Sequence, residues 1–361
     1  DSCGSLRRGA GSVFAVAMDI CPALPKWCSG TLYAAGGNFK YLGGVFLMLE
    51  IKNLCKRYGQ TQALDNVQLS VGPGEIVGLF GENGAGKTTT IRIIMDVFHA
   101  NSGEIMLDGE IFHPTASQVG YLPEERGLYP KKKVRDQMVY LAMLRGMNKK
   151  QANESTVKWL DRLHVSEYID RKLETLSKGN QQKVQLAATL VGEPQLVILD
   201  EPFSGLDPVN AQVLKDVIRE LIREGRIVIF SSHQMSYVEE FCEDIAIINH
   251  GDVVLAGHLD DIKDTYGCGR KTISADNYSP QELADICREK LSSYAVVERV
   301  TKKYVVLELK TQADMWQILD ICKQAGVQLH QFGAYEPSLN DIFISCVGDE
   351  EPDAEAAKEA V

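Results

Sequence analysis

The chain has 361 residues, 45% of them hydrophobic, enough for about two domains at ~150 residues each. Its 38 basic against 49 acidic side chains, a formal net charge of −11, exclude a general nucleic-acid binder, which carries a basic excess. No stretch reaches the ~18 consecutive apolar residues that a membrane-spanning helix needs, so any role at a bilayer has to come through a partner. The nine cysteines are scattered without a C-x-x-C pair and read as reduced thiols of a cytosolic protein.

Residues 1–47 carry many glycines and a short apolar run, Val13 to Met18, that ends early at Asp19 without a convincing cleavage site. They read as an extraneous or disordered leader rather than a signal peptide. Met48-Leu-Glu-Ile-Lys-Asn-Leu opens a clean alternating strand. Ile76 to Phe80, Leu196 to Leu199 and Ile227 to Phe230 are short apolar runs bracketed by turn or polar residues, as strands buried on both faces require. Amphipathic helical stretches alternate with them, the pattern of an α/β domain.

A helical subdomain is expected over about 125–190, with Met138, Leu141 and Leu144 on one face of a stretch from Val134 to Leu163. From Val209 to Ile222, the apolar Val209, Val213, Leu214, Val217, Leu221 and Ile222 share a core-facing side. The first domain is placed at 48–265. From Lys271 the order βαββαβ, with Ser279-Pro280 capping a helix, predicts a small α+β ferredoxin-like domain over 270–347. Residues 348–361 are acidic and alanine-rich and read as a solvated, disordered tail.

Gly81-Glu-Asn-Gly-Ala-Gly-Lys87-Thr88-Thr89 matches G-x-x-x-x-G-K-[ST] between a strand and an amphipathic helix. Backbone N–H groups over Gly81, Asn83, Gly84, Ala85, Gly86 and Thr89 can wrap phosphates. Lys87 reaches the β- and γ-phosphates and the Thr88 hydroxyl suits Mg²⁺. A second apolar strand ends in Asp200-Glu201-Pro202. Buried adjacent carboxylates need neutralising, so Asp200 fits a Mg²⁺ role and Glu201 the polarisation of an attacking water.

With these motifs the chain resembles the nucleotide-binding subunit of an ABC transporter over about Met48 to Ile262. Leu176-Ser177-Lys178-Gly179-Asn180-Gln181-Gln182 stands in the place of the L-S-G-G-Q signature. Ser204-Gly205-Leu206-Asp207-Pro208 resembles the D-loop, and Ser231-Ser232-His233 the switch histidine. The resemblance implies an ABC-type P-loop NTPase fold, a mixed sheet core with a helical subdomain, and hydrolysis of ATP with Mg²⁺. It implies adenine contact at Tyr58, and Ser177, Gly179 and Asp207 acting at ATP held by an opposite subunit. A neutral His233 would donate to the γ-phosphate. Where the family places a Gln touching the metal, Gly120-Tyr121-Leu122-Pro123-Glu124-Glu125-Arg126-Gly127 offers Glu124, expected to keep the metal-sensing role. This departure, the Lys178 and Asn180 that depart from the family's signature, and Pro337-Ser338-Leu339-Asn340-Asp341-Ile342-Phe343 near the end are similar to the sodium-efflux and drug-efflux exporter subgroup.

The resemblance therefore implies an ATPase at the cytoplasmic side of the plasma membrane, peripheral through a separate integral-membrane permease. It would form a homodimer, or a heterodimer with another ABC ATPase. The alternative is a soluble, non-transport ABC ATPase acting as an ATP-gated switch. A single P-loop and the lack of sustained heptads between Lys87 and Asp200 weigh against the tandem and coiled-coil versions of it.

Overall fold

The computed structural model describes residues 48–115, 117–125, 127–310 and 315–347. The expected leader at 1–47 and acidic tail at 348–361 lie outside the described residues. The described chain divides into two compact units on either side of the Leu259–Asp260 bond.

In the first unit β1 (Leu49–Tyr58) and β2 (Thr61–Val71) pair antiparallel across a tight turn at Gly59, whose φ of 60° suits glycine. β3 (Ile76–Phe80) is buried at every position and leads through the glycine loop into α1 (Lys87–Ile94). β4 (Ser102–Leu107) and β5 (Glu110–Ile111) complete a four-stranded sheet in the order β2-β1-β4-β5. β6 (Val119–Leu122) precedes three helices, α2 (Val134–Leu144), α3 (Lys149–Arg162) and α4 (Lys178–Leu190). β7 (Leu196–Asp200), α5 (Pro208–Arg223), β8 (Ile227–Ser232), α6 (Met235–Phe241), β9 (Asp244–Asn249) and β10 (Asp252–His258) follow.

The second sheet runs β10-β9-β3-β8-β7-β6. Five of its strands are parallel and β10 is an antiparallel edge. β7 and β8 are buried throughout, as their unbroken apolar runs require. The C-terminal ends of β3, β7 and β8 therefore lie side by side, where ligands bind in open α/β sheets.

The fold sets the covered face of α2 and corrects the expected face of α5. The helical stretch breaks at Gly146, and Asn148 starts α3 with a capping box to Gln151. The buried face of α2 is Val134, Gln137, Met138 and Ala142, and Leu144 is exposed. In α5 Val209 sits in the opening turn next to the capping Asp207 and is exposed. The inward face starts at Ala211 and continues through Leu214, Val217, Ile218 and Leu221.

The second unit comprises α7 (Leu259–Gly267), β11 (Arg270–Ala275), α8 (Pro280–Lys290), β12 (Ala295–Val300), β13 (Val305–Leu309), α9 (Met315–Gln324), β14 (Leu329–Ala334) and α10 (Leu339–Val347). Ser279 and Glu282 form a capping box at α8, with Pro280 in its first turn. The sheet order β12-β13-β11-β14, antiparallel throughout, is the ferredoxin-like arrangement. Its core holds Ile273, Leu283, Leu291, Val305, Leu307 and Ile318, with Cys287 and Cys322 buried beside them. Cys55, Cys242, Cys287, Cys322 and Cys346 are free thiols.

Candidate active site

The loop between β3 and α1 is closed by packing. At Gly86 φ is 116°, and a Cβ would lie 2.8 Å from Leu64 Cδ2 and 2.9 Å from the Ala63 carbonyl oxygen. Only glycine fits there, so β2 presses the loop into shape. Lys87 is almost fully buried and its ammonium donates to the carbonyl oxygens of Gly81 at 2.6 Å and Glu82 at 3.0 Å. Burial pulls its pKa down and outweighs the opposing pull of Glu201, Asp200, Glu124 and Glu82. One of its three N–H bonds remains for a phosphate oxygen.

Asp200 ends β7 at 3% exposure. The parallel register sets it opposite Ser231, whose hydroxyl donates to Oδ1 at 2.5 Å. The Tyr121 hydroxyl donates to Oδ2 at 3.3 Å. Burial first, then Asp200, pushes the Tyr121 phenol up to about 12. Glu201 is 6% exposed and holds a φ of 49°. This left-handed backbone is uncommon for a residue with a side chain, and such geometry clusters at functional sites. Its Oε1 meets His233 Nδ1 at 2.8 Å, and Ser232 Oγ donates to Oε2 at 3.4 Å.

A cavity of about 110 Å³ is lined by Glu82, Asn83, Gly84, Gly86, Lys87, Thr88, Thr89, Glu124, Asp200 and Glu201. The fold thus brings together the expected phosphate loop, both strand-end acids and Glu124. Gly81 and Ala85 close the loop behind it, Gly81 through its bond to Lys87 and Ala85 by accepting from Gly251 N. His233 joins the wall through Glu201.

The His233 contact alters one expectation. An ionised carboxylate only accepts, so Nδ1 donates to Glu201, and a neutral ring then has no proton on Nε2 for a phosphate. His233 can donate there only as an imidazolium or after releasing Glu201.

Tyr58, Ser177, Gly179 and Asp207 do not line this cavity. Tyr58 is exposed at the end of β1, its ring edge-on to Phe98 at 6.1 Å. Ser177 caps α4 and accepts from Asn180 N. Asp207 caps α5, and its side chain also accepts from Asn210 Nδ2 at 2.5 Å. A Cβ at Gly179 would lie 2.6 Å from that same amide nitrogen, so these two helix starts touch each other rather than the phosphate loop.

Sequence reasoning missed Tyr121, Ser231 and Ser232 as partners of the two acids, and the α4 side chains that hold the Glu124 loop. Gln185 Nε2 donates to the carbonyl oxygens of Pro123 at 3.3 Å and Glu125 at 3.2 Å. Thr189 Oγ1 donates to the Tyr121 carbonyl at 3.2 Å. The signal for Ser231 and Ser232 was two hydroxyl residues closing an otherwise apolar strand. Gln185 gave none beyond being polar on an inward helix face.

Comparison with known proteins agrees with this geometry. Residues 64–204 match the ABC transporter family model, and residues 257–347 match the C-terminal domain of ATP-binding proteins like DrrA1-3. The uncharacterised ABC transporter ATP-binding protein YhaQ of Bacillus subtilis is 41% identical over 83% of this chain and 99% of its own length. The linearmycin resistance ATP-binding protein LnrL of Bacillus subtilis is 30% identical over 83% of this chain and 98% of its own. A solved ATP-binding subunit of an ABC transporter superposes with a TM-score of 0.57 at 31% identity, over 61% of this chain and 93% of that one. The chain is an ATP-binding and ATP-hydrolysing subunit, and it belongs to the family of ABC transporter ATP-binding proteins.

Proposed function

We propose that this subunit powers an exporter, acting from the cytoplasmic side of the plasma membrane on a separate integral-membrane permease. The observation that carries the chemistry is the single cavity gathering Lys87, Thr88, Glu124, Asp200 and Glu201. Among the described residues no helix is long and apolar enough to cross a membrane, which supports a permease on another chain. The resistance role in the name of LnrL supports export.

Lys87 and the loop N–H groups hold the β- and γ-phosphates, and Tyr58 packs on adenine. Thr88, Asp200 and Glu124 offer only hard oxygen donors, a set that fits Mg²⁺ together with phosphate oxygens. Bound there, Mg²⁺ supplies positive charge against the β- and γ-phosphate oxygens. Ser231 and Tyr121 orient Asp200 by binding both of its oxygens. Glu201 takes the proton of the attacking water and is itself aimed by His233 and Ser232. Ser177, Gly179 and Asp207, outside their own chain's cavity, close the site of a second copy in a head-to-tail homodimer, or of a related ATPase in a heterodimer.

Glu201→Gln keeps the shape and removes the base. Hydrolysis should fall by about 10²- to 10⁴-fold, with ATP still bound and an ATP-dependent dimer on size-exclusion chromatography. Turnover at the parent rate sinks the assignment of the base. Failure of any multi-span membrane protein encoded beside this chain to co-purify on co-expression sinks the permease.

A further inference from the structure

A second cavity, of about 230 Å³, lies wholly within the second unit and is larger than the cavity of about 110 Å³ at the phosphate loop. ATP hydrolysis makes no use of it. Alternate residues of a strand point to opposite faces of a sheet. Ile273, Val305 and Leu307 pack with α8 and α9 in the core of this unit, which sends Arg270 and Val306 to the other face, where Tyr335, Pro337 and Ile342 complete the cavity. A bulge in β12 then adds an acid. Val297 pairs with Leu307 and Arg299 with Val306, so Glu298 is an extra residue in the ladder, and Glu298 and Arg299, neighbours in sequence, both line the same cavity. Bulges re-aim side chains in this way beside functional sites.

The cavity is lined by two arginines and two acids, and the two pairs differ. Arg299 is closed, its guanidinium donating to Asp341 and to the Tyr335 oxygen. Arg270 is open. Its Nε donates to Glu298 Oε2 at 2.7 Å and its Nη1 to the Tyr266 carbonyl oxygen. That leaves the two N–H bonds of Arg270 Nη2 and the Oε1 lone pairs of Glu298 without a partner among the described residues. The two side chains are 20% and 37% exposed, and a partly exposed ion pair adds little stability.

We propose that this cavity binds a free α-amino acid with an apolar side chain, its carboxylate on Arg270 Nη2, its ammonium on Glu298 Oε1 and its side chain against Val306, Ile342 and Ile344. The charge pattern selects the class. A simple anion meets Glu298 beside Arg270, and a simple cation meets the reverse. An amino acid carries both charges on one carbon and its substituent, as the ion pair holds its free donor and free acceptor side by side. The volume agrees, lying below the ~300–1,000 Å³ of pockets that take drug-sized ligands. Ile344 is 55% exposed, and the bound side chain gives it an apolar partner. The inference depends on neither the permease nor the phosphate cavity.

The test is equilibrium dialysis of the full chain with radiolabelled leucine, in competition with leucinamide, which lacks the carboxylate, and isocaproate, which lacks the ammonium. Leucine should bind once per chain, and each analogue should compete about 10- to 100-fold less well than unlabelled leucine, the effect of losing one charged hydrogen-bonding group. Glu298→Gln should weaken leucine binding by a similar factor and Ile344→Ser by about ten-fold, with ATP affinity unchanged in both. Absence of binding by leucine, valine, methionine and phenylalanine at about millimolar concentration overturns the inference. Unchanged leucine affinity in Glu298→Gln also overturns it, by placing the amino acid elsewhere. Competition by either analogue as strong as by leucine overturns it too, because the cavity then reads one charge and not the pair.

Discussion

Both units set a carboxylate against a sheet, buried in the first and half-buried in the second, and the two differ in how completely it is satisfied. In the second unit Asp341 accepts from Arg299 at 2.6 Å, from the Tyr335 hydroxyl at 3.0 Å, and from the N–H and hydroxyl of Ser338. Arg299 also donates to the Tyr335 oxygen and lies over its ring. Burial opposes ionisation there, and these donors outweigh it, holding the Asp341 carboxyl down at about 2. In the first unit Asp200 and Glu201 receive hydroxyl and imidazole bonds and, among the described residues, no arginine or lysine ion pair. The first arrangement is complete within the chain and ties α10 to its sheet. The second leaves charge for something that is not protein, which is what separates a site from a staple.

The largest effect on nucleotide affinity is expected from Lys87→Ala. It removes a charge-assisted contact worth about 1.5–3 kcal/mol, so ATP affinity should fall roughly 10- to 100-fold in a fluorescent-nucleotide titration. Unchanged affinity would dissolve the contrast between the units. Asp341→Asn should instead cost about 2 kcal/mol of second-unit stability, read by denaturant unfolding, and leave ATP affinity alone. Because the folded-state value of about 2 lies below the ordinary ~3.9 of an unfolded aspartate, its contribution is full above about pH 4. It is lost as pH falls through about 2, and the asparagine variant should lack that acid transition.

Glu124→Ala should raise the Mg²⁺ concentration needed for half-maximal hydrolysis several-fold, and an unaltered Mg²⁺ dependence removes Glu124 from the metal. The smallest change is Tyr121→Phe, the loss of one hydrogen bond worth about 0.5–1.5 kcal/mol. It should loosen nucleotide binding in Mg²⁺ but not in EDTA. Equal loosening in both would make Tyr121 a packing residue only.

What was legible in the sequence is what is local. The glycine loop, the two acids at a strand end and the fully apolar strands announce themselves within ten residues. The βαββαβ order was equally readable, because short apolar runs mark its strands and Ser279-Pro280 marks the start of α8. The partners of Asp200 were not, since Tyr121 and Ser231 reach it only through the parallel register of β6, β7 and β8. Which side of α2 is covered was not legible, because spacing shows that a helix is amphipathic, while the neighbouring helices decide which side is covered.

The central claim is that the cavity around Lys87 is one half of an ATPase site whose other half, Ser177 and Gly179, comes from a second subunit. Mixing Lys87→Ala chains with Ser177→Arg chains tests it directly, because neither alone can assemble a complete site. A mixed dimer pairs an intact phosphate loop with an intact signature at one of its two positions. Steady-state ATP hydrolysis of the mixture should rise well above the sum of the two inactive preparations, toward about a quarter of the parent rate if the sites turn over independently. A mixture no more active than that sum would contradict the account.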